Sequence, residues 1–159
     1  MTPKKLPVDH NKRVPAPADE YRHYLPIQIR FTDIDSMGHV NNAVYLNYMD
    51  LGKTRYFEDV MDGDIDWHNI GVVVVNLNCS YFAQTLYGEN IEVLTTINHI
   101  GEKSLTMEQR VVNSDTLETK AVCFSIMAGF DRNTAKSAPI GPVWTEAIER
   151  FEGRKLTSK

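Results

Sequence analysis

The strongest constraint on this fold is a single proline-free segment, residues 43–61, followed by four runs of β-type sequence. Within 43–61 the apolar residues recur at three- and four-residue steps. Val44, Tyr48 and Leu51 lie on one line, and Tyr45, Met49, Tyr56 and Val60 on another. That spacing predicts a long helix with a wide apolar arc that must be buried. Gly52, in its middle, lowers helix propensity by about 1 kcal/mol relative to alanine, so a neighbouring backbone is expected to approach it closely. Upstream, residues 26–32 alternate Ile27, Ile29 and Phe31 against polar neighbours, as a half-buried strand does. Downstream, 71–83, 90–100, 104–113 and 119–130 read as strands. Ile91, Val93, Thr95 and Ile97 alternate strictly, and Val122, Phe124, Ile126, Ala128 and Phe130 share one face. An Asn113-Ser114-Asp115 turn joins the last two runs. Residues 142–152 form a short helix, with Pro142 suited to its first turn. Consecutive strands with short links favour an antiparallel sheet. The reading is an α+β fold in which a sheet of about five strands wraps one long helix.

The chain has 159 residues, enough for one domain with a real core. Residues 1–20 hold four of the seven prolines together with Lys4, Lys5, Lys12 and Arg13, and read as a mobile or surface-wrapping arm. Residues 21–152 are the domain, and 153–159 a frayed tail. Apolar residues make up 42% and charged residues 24%, which excludes a wholly disordered chain. A net charge of −4 argues against nucleic acid as a partner. Cys79 and Cys123, each in an apolar run, read as buried reduced thiols of a reducing compartment. There is no apolar run long enough to cross a membrane and no apolar core behind Lys4 and Lys5 for a secretory signal, so a cytoplasmic protein is expected.

No phosphate-binding glycine loop and no GxSxG elbow occur. His39 and His68 are far apart and neither HxxxH nor HExxH is present, so neither metal nor bound cofactor is expected. The dense polar segment is DIDSMGHVNN, residues 33–42, between the first strand and the long helix. First-turn N–H groups of a helix lack internal partners and carry partial positive charge. A carbonyl oxygen placed there meets donors suited to an oxyanion, and a carboxylate just upstream can serve as base or nucleophile. The same residues also suit ordinary structure: Asn41 or Asn42 as helix cap, and Gly38 at a turn with positive φ.

The run RFTDIDSMGHVNNAVYL, residues 30–46, resembles the signature of the 4-hydroxybenzoyl-CoA thioesterase family, the hotdog-fold acyl-CoA thioesterases. The similarity continues through Asn78-Cys79-Ser80-Tyr81 and the Gly101-Glu102-Lys103-Ser104 turn, covering roughly 24–135. The resemblance implies a hotdog fold that hydrolyses an acyl-CoA thioester. Asp35 takes the place of the catalytic carboxylate, acting as base or nucleophile, and Gly38 that of the loop glycine. The Asn42 N–H polarises the thioester carbonyl. Asn41, Tyr45, Asn78, Ser80, Lys103 and Ser104 fall at substrate-binding positions, the last two near the CoA phosphates. His39 and Asn41 are closer to the acyl-carrier-protein thioesterases, where an Asp, an Asn and a His are functional. Val44, Tyr48 and Phe82 are candidate walls of an acyl pocket. The alternatives are a carrier-protein thioesterase and a non-catalytic acyl-CoA-binding module. A homodimer or homotetramer is expected, because the Val72–Val75 run needs cover on both faces and one helix covers only one.

Overall fold

The structure, a computed structural model, describes residues 2–66 and 71–158. His68 and the end of the polar loop at 62–69 lie outside them. The elements are β1 (His23–Ile27), a 3-10 turn (Phe31–Asp33), α1 (Asn42–Val60), β2 (Val72–Tyr81), β3 (Ile91–Ile100), β4 (Ser104–Asn113), β5 (Thr119–Asp131), β6 (Lys136–Ser137) and α2 (Pro142–Glu152). The sheet is antiparallel in the order β1-β3-β4-β5-β2, with the two-residue β6 added to β5. This is the α+β arrangement read from the pattern, with the sheet curved around α1.

The first strand is displaced from its expected position. It runs over His23–Ile27 rather than 26–32. Arg30 N–H donates to the Asp33 carboxylate at 2.9 Å, which turns the chain out of the sheet before Phe31. Phe31 is therefore 80% exposed, edge-on to Tyr87. Pro26, inside β1, cannot donate to a ladder, and an edge strand tolerates that.

Along α1, Tyr45, Tyr48, Met49, Gly52, Tyr56, Phe57 and Val60 are buried against the inner sheet face, whereas Leu51 is exposed. Gly52 is a packing requirement, but the close neighbour is a side chain and not a backbone. A Cβ there would lie 2.7 Å from Val93 Cγ1 and 3.3 Å from Gln109 Nε2. That glutamine donates to the Met49 carbonyl at 2.8 Å, so it locks helix to sheet at this point. The apolar row Val122, Phe124 and Ile126 faces away from α1. The inward row of β5 is Ala121, Cys123, Ser125 and Met127, which pair across to inward residues of β2.

Residues 2–20 lie over the outer face of β3 and β4. Lys4 pairs with Glu92, and Tyr21 Oη donates to Glu108. Arg110, 1% exposed, donates to Glu108 and to the carbonyls of Pro15 and Ala16, the last two at 2.9 Å. At the other end of the chain the described tail is not frayed. Ile100 N–H donates to the Leu156 carbonyl, Leu156 is buried, and Arg154 donates to the Ile97 carbonyl. Glu149 Oε1 accepts from the amides of Leu156 and Thr157, which returns the chain to the sheet after Gly153. The far edge is different. On β2, Val73, Val74, Val75 and Leu77 are all exposed, and a bulge interrupts the register between Val74 and Asn76.

Candidate active site

The segment before α1 is a compact set of turns. Asp35 Oδ1 accepts from Met37 N–H at 2.8 Å, and the Asp35 carbonyl accepts from Gly38 N–H at 3.0 Å. Gly38 closes this turn at φ +86°, a conformation in which a Cβ is strained. The loop returns when Asp35 N–H donates to the His39 carbonyl. Asn41 is then the helix cap: its Oδ1 accepts from Ala43 N–H at 2.9 Å, and its carbonyl from Val44 N–H at 2.9 Å. Its Nδ2 donates to Asp35 Oδ2 at 3.1 Å. One side chain thus ties the half-buried carboxylate to the start of the helix. Among the described residues nothing accepts from the Asn42 N–H, which leaves it as the available donor of the first turn.

The two aspartates have separate roles. Asp33 is buried and accepts from Tyr48 Oη at 2.6 Å as well as from Arg30. Burial raises its carboxyl pKa, but the bonds from Tyr48 and Arg30 outweigh that and hold it below the usual range. Tyr48 is pushed upward, first by burial and then by the same carboxylate. Tyr48 therefore anchors the loop rather than lining an acyl pocket.

A cavity of about 250 Å³ opens at the helix start, lined by His39, Val40, Asn42, Tyr45, Tyr81, Phe82, Ala83 and Gln84. His39 Nδ1 lies 3.3 Å from the Val40 carbonyl. Tyr81 Oη donates to the Asn42 carbonyl at 2.9 Å, and its ring meets Tyr45 edge-on. Tyr45 Oη donates to Thr85 Oγ1 at 2.8 Å, and the Thr85 carbonyl accepts from Val40 N–H. The wall at 82–85 is held from behind by the buried Lys120. Its ammonium reaches Glu89, Glu118 and the Gln84 carbonyl at 2.9, 2.6 and 3.0 Å.

Asp35, Gly38, His39, Asn41, Asn42 and Tyr45 are thus brought to one place. Asn78 and Ser80 are not. Side chains alternate along a strand, so with Tyr81 and Cys79 facing α1 these two point to the outer face. Lys103 and Ser104 are at the opposite end of the sheet, where Ser104 pairs with Ala128; the site end is where Val112 pairs with Thr119. That is roughly 25–30 Å along β4 at about 3.3 Å per residue. Tyr81, Ala83 and Gln84 were not singled out individually from sequence. The only signal for them was the end of a β run, which does not say that the next four residues wall a cavity.

A thioesterase-like superfamily model matches residues 29–148. The Escherichia coli long-chain acyl-CoA thioesterase FadM is 24% identical over 79% of this chain and 96% of its own. The putative acyl-CoA thioesterase YneP of Bacillus subtilis is 34% identical over 45% of this chain and 53% of its own. A Thermus thermophilus thioesterase, solved in complex with coenzyme A and Zn, superposes with a TM-score of 0.77. It is 31% identical over 86% of this chain and 98% of its own. The element order, the carboxylate loop ahead of the helix and these matches lead to one conclusion: the chain belongs to the thioesterase-like superfamily and is a hotdog-fold thioester hydrolase.

Proposed function

We propose that the chain hydrolyses an acyl-CoA thioester to the free acid and CoA, at the cavity ahead of α1. The observation that carries this reading is the free Asn42 N–H at the cavity, joined through the Asn41 cap to the Asp35 carboxylate. The thioester carbonyl accepts from Asn42 N–H, where the partial positive charge of the helix end favours negative oxygen. Asp35 is a general base. Both its oxygens are held by N–H donors and it stands outside the cavity lining, which suits a carboxylate acting through a water better than one attacking carbon directly. The water oxygen bonds to the carbonyl carbon while Asp35 takes its proton. The tetrahedral oxyanion then collapses, and the departing CoA sulfur carries the proton away. His39, on the cavity wall, positions the substrate. No bound cofactor enters these steps.

The functional unit in this reading is at least a homodimer joined along the exposed edge of β2. Antiparallel self-pairing of that edge sets the Val72 end of one strand beside the Tyr81 end of its partner. It would thereby carry Lys103 and Ser104 of one subunit toward the site of the other, within reach of the CoA phosphates. The reduced cysteines and a CoA substrate suit a cytoplasmic protein; among the described residues no helix is long and apolar enough to cross a membrane. The test is thiol release, read with a thiol reagent, from a panel of acyl-CoAs of graded chain length and the matching acyl-carrier proteins. Turnover of acyl-CoAs is expected. Turnover of acyl-carrier protein alone would transfer the site to that substrate class.

A further inference from the structure

The two cysteines, 44 positions apart in sequence, stand directly opposite each other on β2 and β5. Phe82 N–H donates to the Lys120 carbonyl, so 82 and 120 form a hydrogen-bonded pair of the antiparallel ladder. Hydrogen-bonded and non-hydrogen-bonded pairs alternate. In the register of this stretch, 80 and 122 form the next hydrogen-bonded pair, and Cys79 and Cys123 are a non-hydrogen-bonded pair. The Cα atoms of such a pair are about 4.5 Å apart and the side chains lean together. That separation is at the short end of the range, roughly 4.4–6.8 Å, that a disulfide spans. Both side chains face α1.

The two sulfurs differ in chemistry. Cys123 is buried, whereas Cys79 is half-buried. The adjacent Cys123 thiol, and after it Tyr81, bring the Cys79 thiol down to about 7 against the opposing effect of burial. Cys123 is pushed upward by the adjacent Cys79 sulfur and by its own burial. One partner is therefore the attacking thiolate, and the other a thiol held in place to resolve it.

We propose that Cys79 and Cys123 are a modification site: a reversible cross-strand disulfide that switches the thioesterase off under hydroperoxide. The Cys79 thiolate attacks the peroxide oxygen and breaks the O–O bond. This gives a sulfenic acid and, after protonation, one molecule of water or alcohol. The Cys123 sulfur then attacks the sulfenyl sulfur, its proton leaves with the hydroxyl as water, and the S–S bond forms. Two thiols lose two electrons and the peroxide gains them. The coupling to activity runs through Tyr81, two residues along β2 on the same face, whose hydroxyl holds the Asn42 carbonyl at the helix start. A relaxed disulfide has its Cα atoms about 5.5–6 Å apart, whereas a pair of this kind starts at about 4.5 Å. Oxidation thus pushes the strands apart by about 1 Å beside the cavity wall, a displacement of the size that costs catalysis up to about 10²-fold. A bond formed at so short a Cα separation is strained and readily reduced.

The full chain is titrated with hydrogen peroxide and followed by intact mass, thiol count, non-reducing gel and acyl-CoA turnover. Expected are a loss of 2 Da and of both thiols within one chain, a fall in kcat of about tenfold or more, and recovery of both with dithiothreitol. Cys79→Ser and Cys123→Ser should each lack the mass loss and the dithiothreitol-reversible inhibition. Any of three results overturns the proposal: Cys79 gains oxygen without pairing, a disulfide joins two chains, or the 2 Da loss leaves kcat unchanged. The mass and thiol readouts do not depend on the substrate, so failure of the proposed acyl-CoA reading would leave the pairing test intact.

Discussion

Asp33 and Asp35 stand two positions apart in one loop and meet different surroundings. Asp33 is enclosed by Tyr48 and Arg30, whereas Asp35 is half-buried beside the helix cap. Asp35→Asn is expected to fold normally and lose at least about 10²-fold in kcat, as removal of a positioned base does; thermal melts and steady-state kinetics on the same preparation check both halves. Asp33→Ala should instead lower stability by about 1.5–3 kcal/mol, because a buried hydroxyl and a backbone amide lose a charged acceptor. Its pH dependence has a definite sign. The native carboxyl sits below its ordinary value, so its stabilisation is complete above about pH 4, where the unfolded carboxyl is already ionised, and disappears as pH falls toward the native value. Melts of Asp33→Asn should therefore decline less steeply than wild type across that acid range. For His39→Ala the expected loss of kcat is smaller than for Asp35→Asn. An equal loss would give His39 a direct proton-transfer role.

At the scale of elements, α1 is set against the sheet by what is missing at position 52. Gly52→Ala gains about 1 kcal/mol of helix propensity. It also drives a methyl into Val93, a fully buried side chain, and toward the glutamine that donates to Met49. Overpacking of that kind costs about 1–3 kcal/mol, so the variant should be net destabilised. Chemical denaturation with an unchanged m-value would locate the effect in the native state. Val93→Ala in the same chain should relieve part of the Gly52→Ala loss, because the two changes share one contact.

The whole molecule treats its outer sheet face and its β2 edge differently. The outer face of β3 and β4 is covered by residues 2–20, clamped by Arg110 and Lys4. The edge of β2 has no such cover: Val75 is 60% and Leu77 46% exposed. A dimer along this edge is expected, with sedimentation at micromolar concentration giving a species of twice 18.1 kDa. Val74→Lys combined with Leu77→Lys should return the protein to single chains, since charge on an exposed edge opposes strand pairing. Lys103 tests the shared site. Asp35→Asn and Lys103→Ala chains, each impaired alone, should regain activity when mixed and allowed to exchange, because one site per mixed dimer then has both residues.

The helix, the four long strands and the loop before the helix were legible because each rests on local information. Apolar spacing of three and four, or of two, sets the element, and Asn and Gly at capping and turn positions set its ends. Asn41 as cap and Gly38 at positive φ follow from the same local chemistry. Tertiary structure decided what depends on distant partners. Ile27, Ile29 and Phe31 alternate as a strand would, yet Asp33 pulls Phe31 out because it finds Tyr48 on α1. The row Val122, Phe124 and Ile126 looks like a core face in sequence and is the outer one, because period-two alternation leaves open which side meets the helix. The tail after Gly153 carries no periodicity at all and is ordered by hydrogen bonds to Glu149 and β3. Register alone brings Cys79 to Cys123 and sends Lys103 away from Asp35. It is a property of strand pairing, in which energy comes from contacts between residues that the sequence keeps far apart.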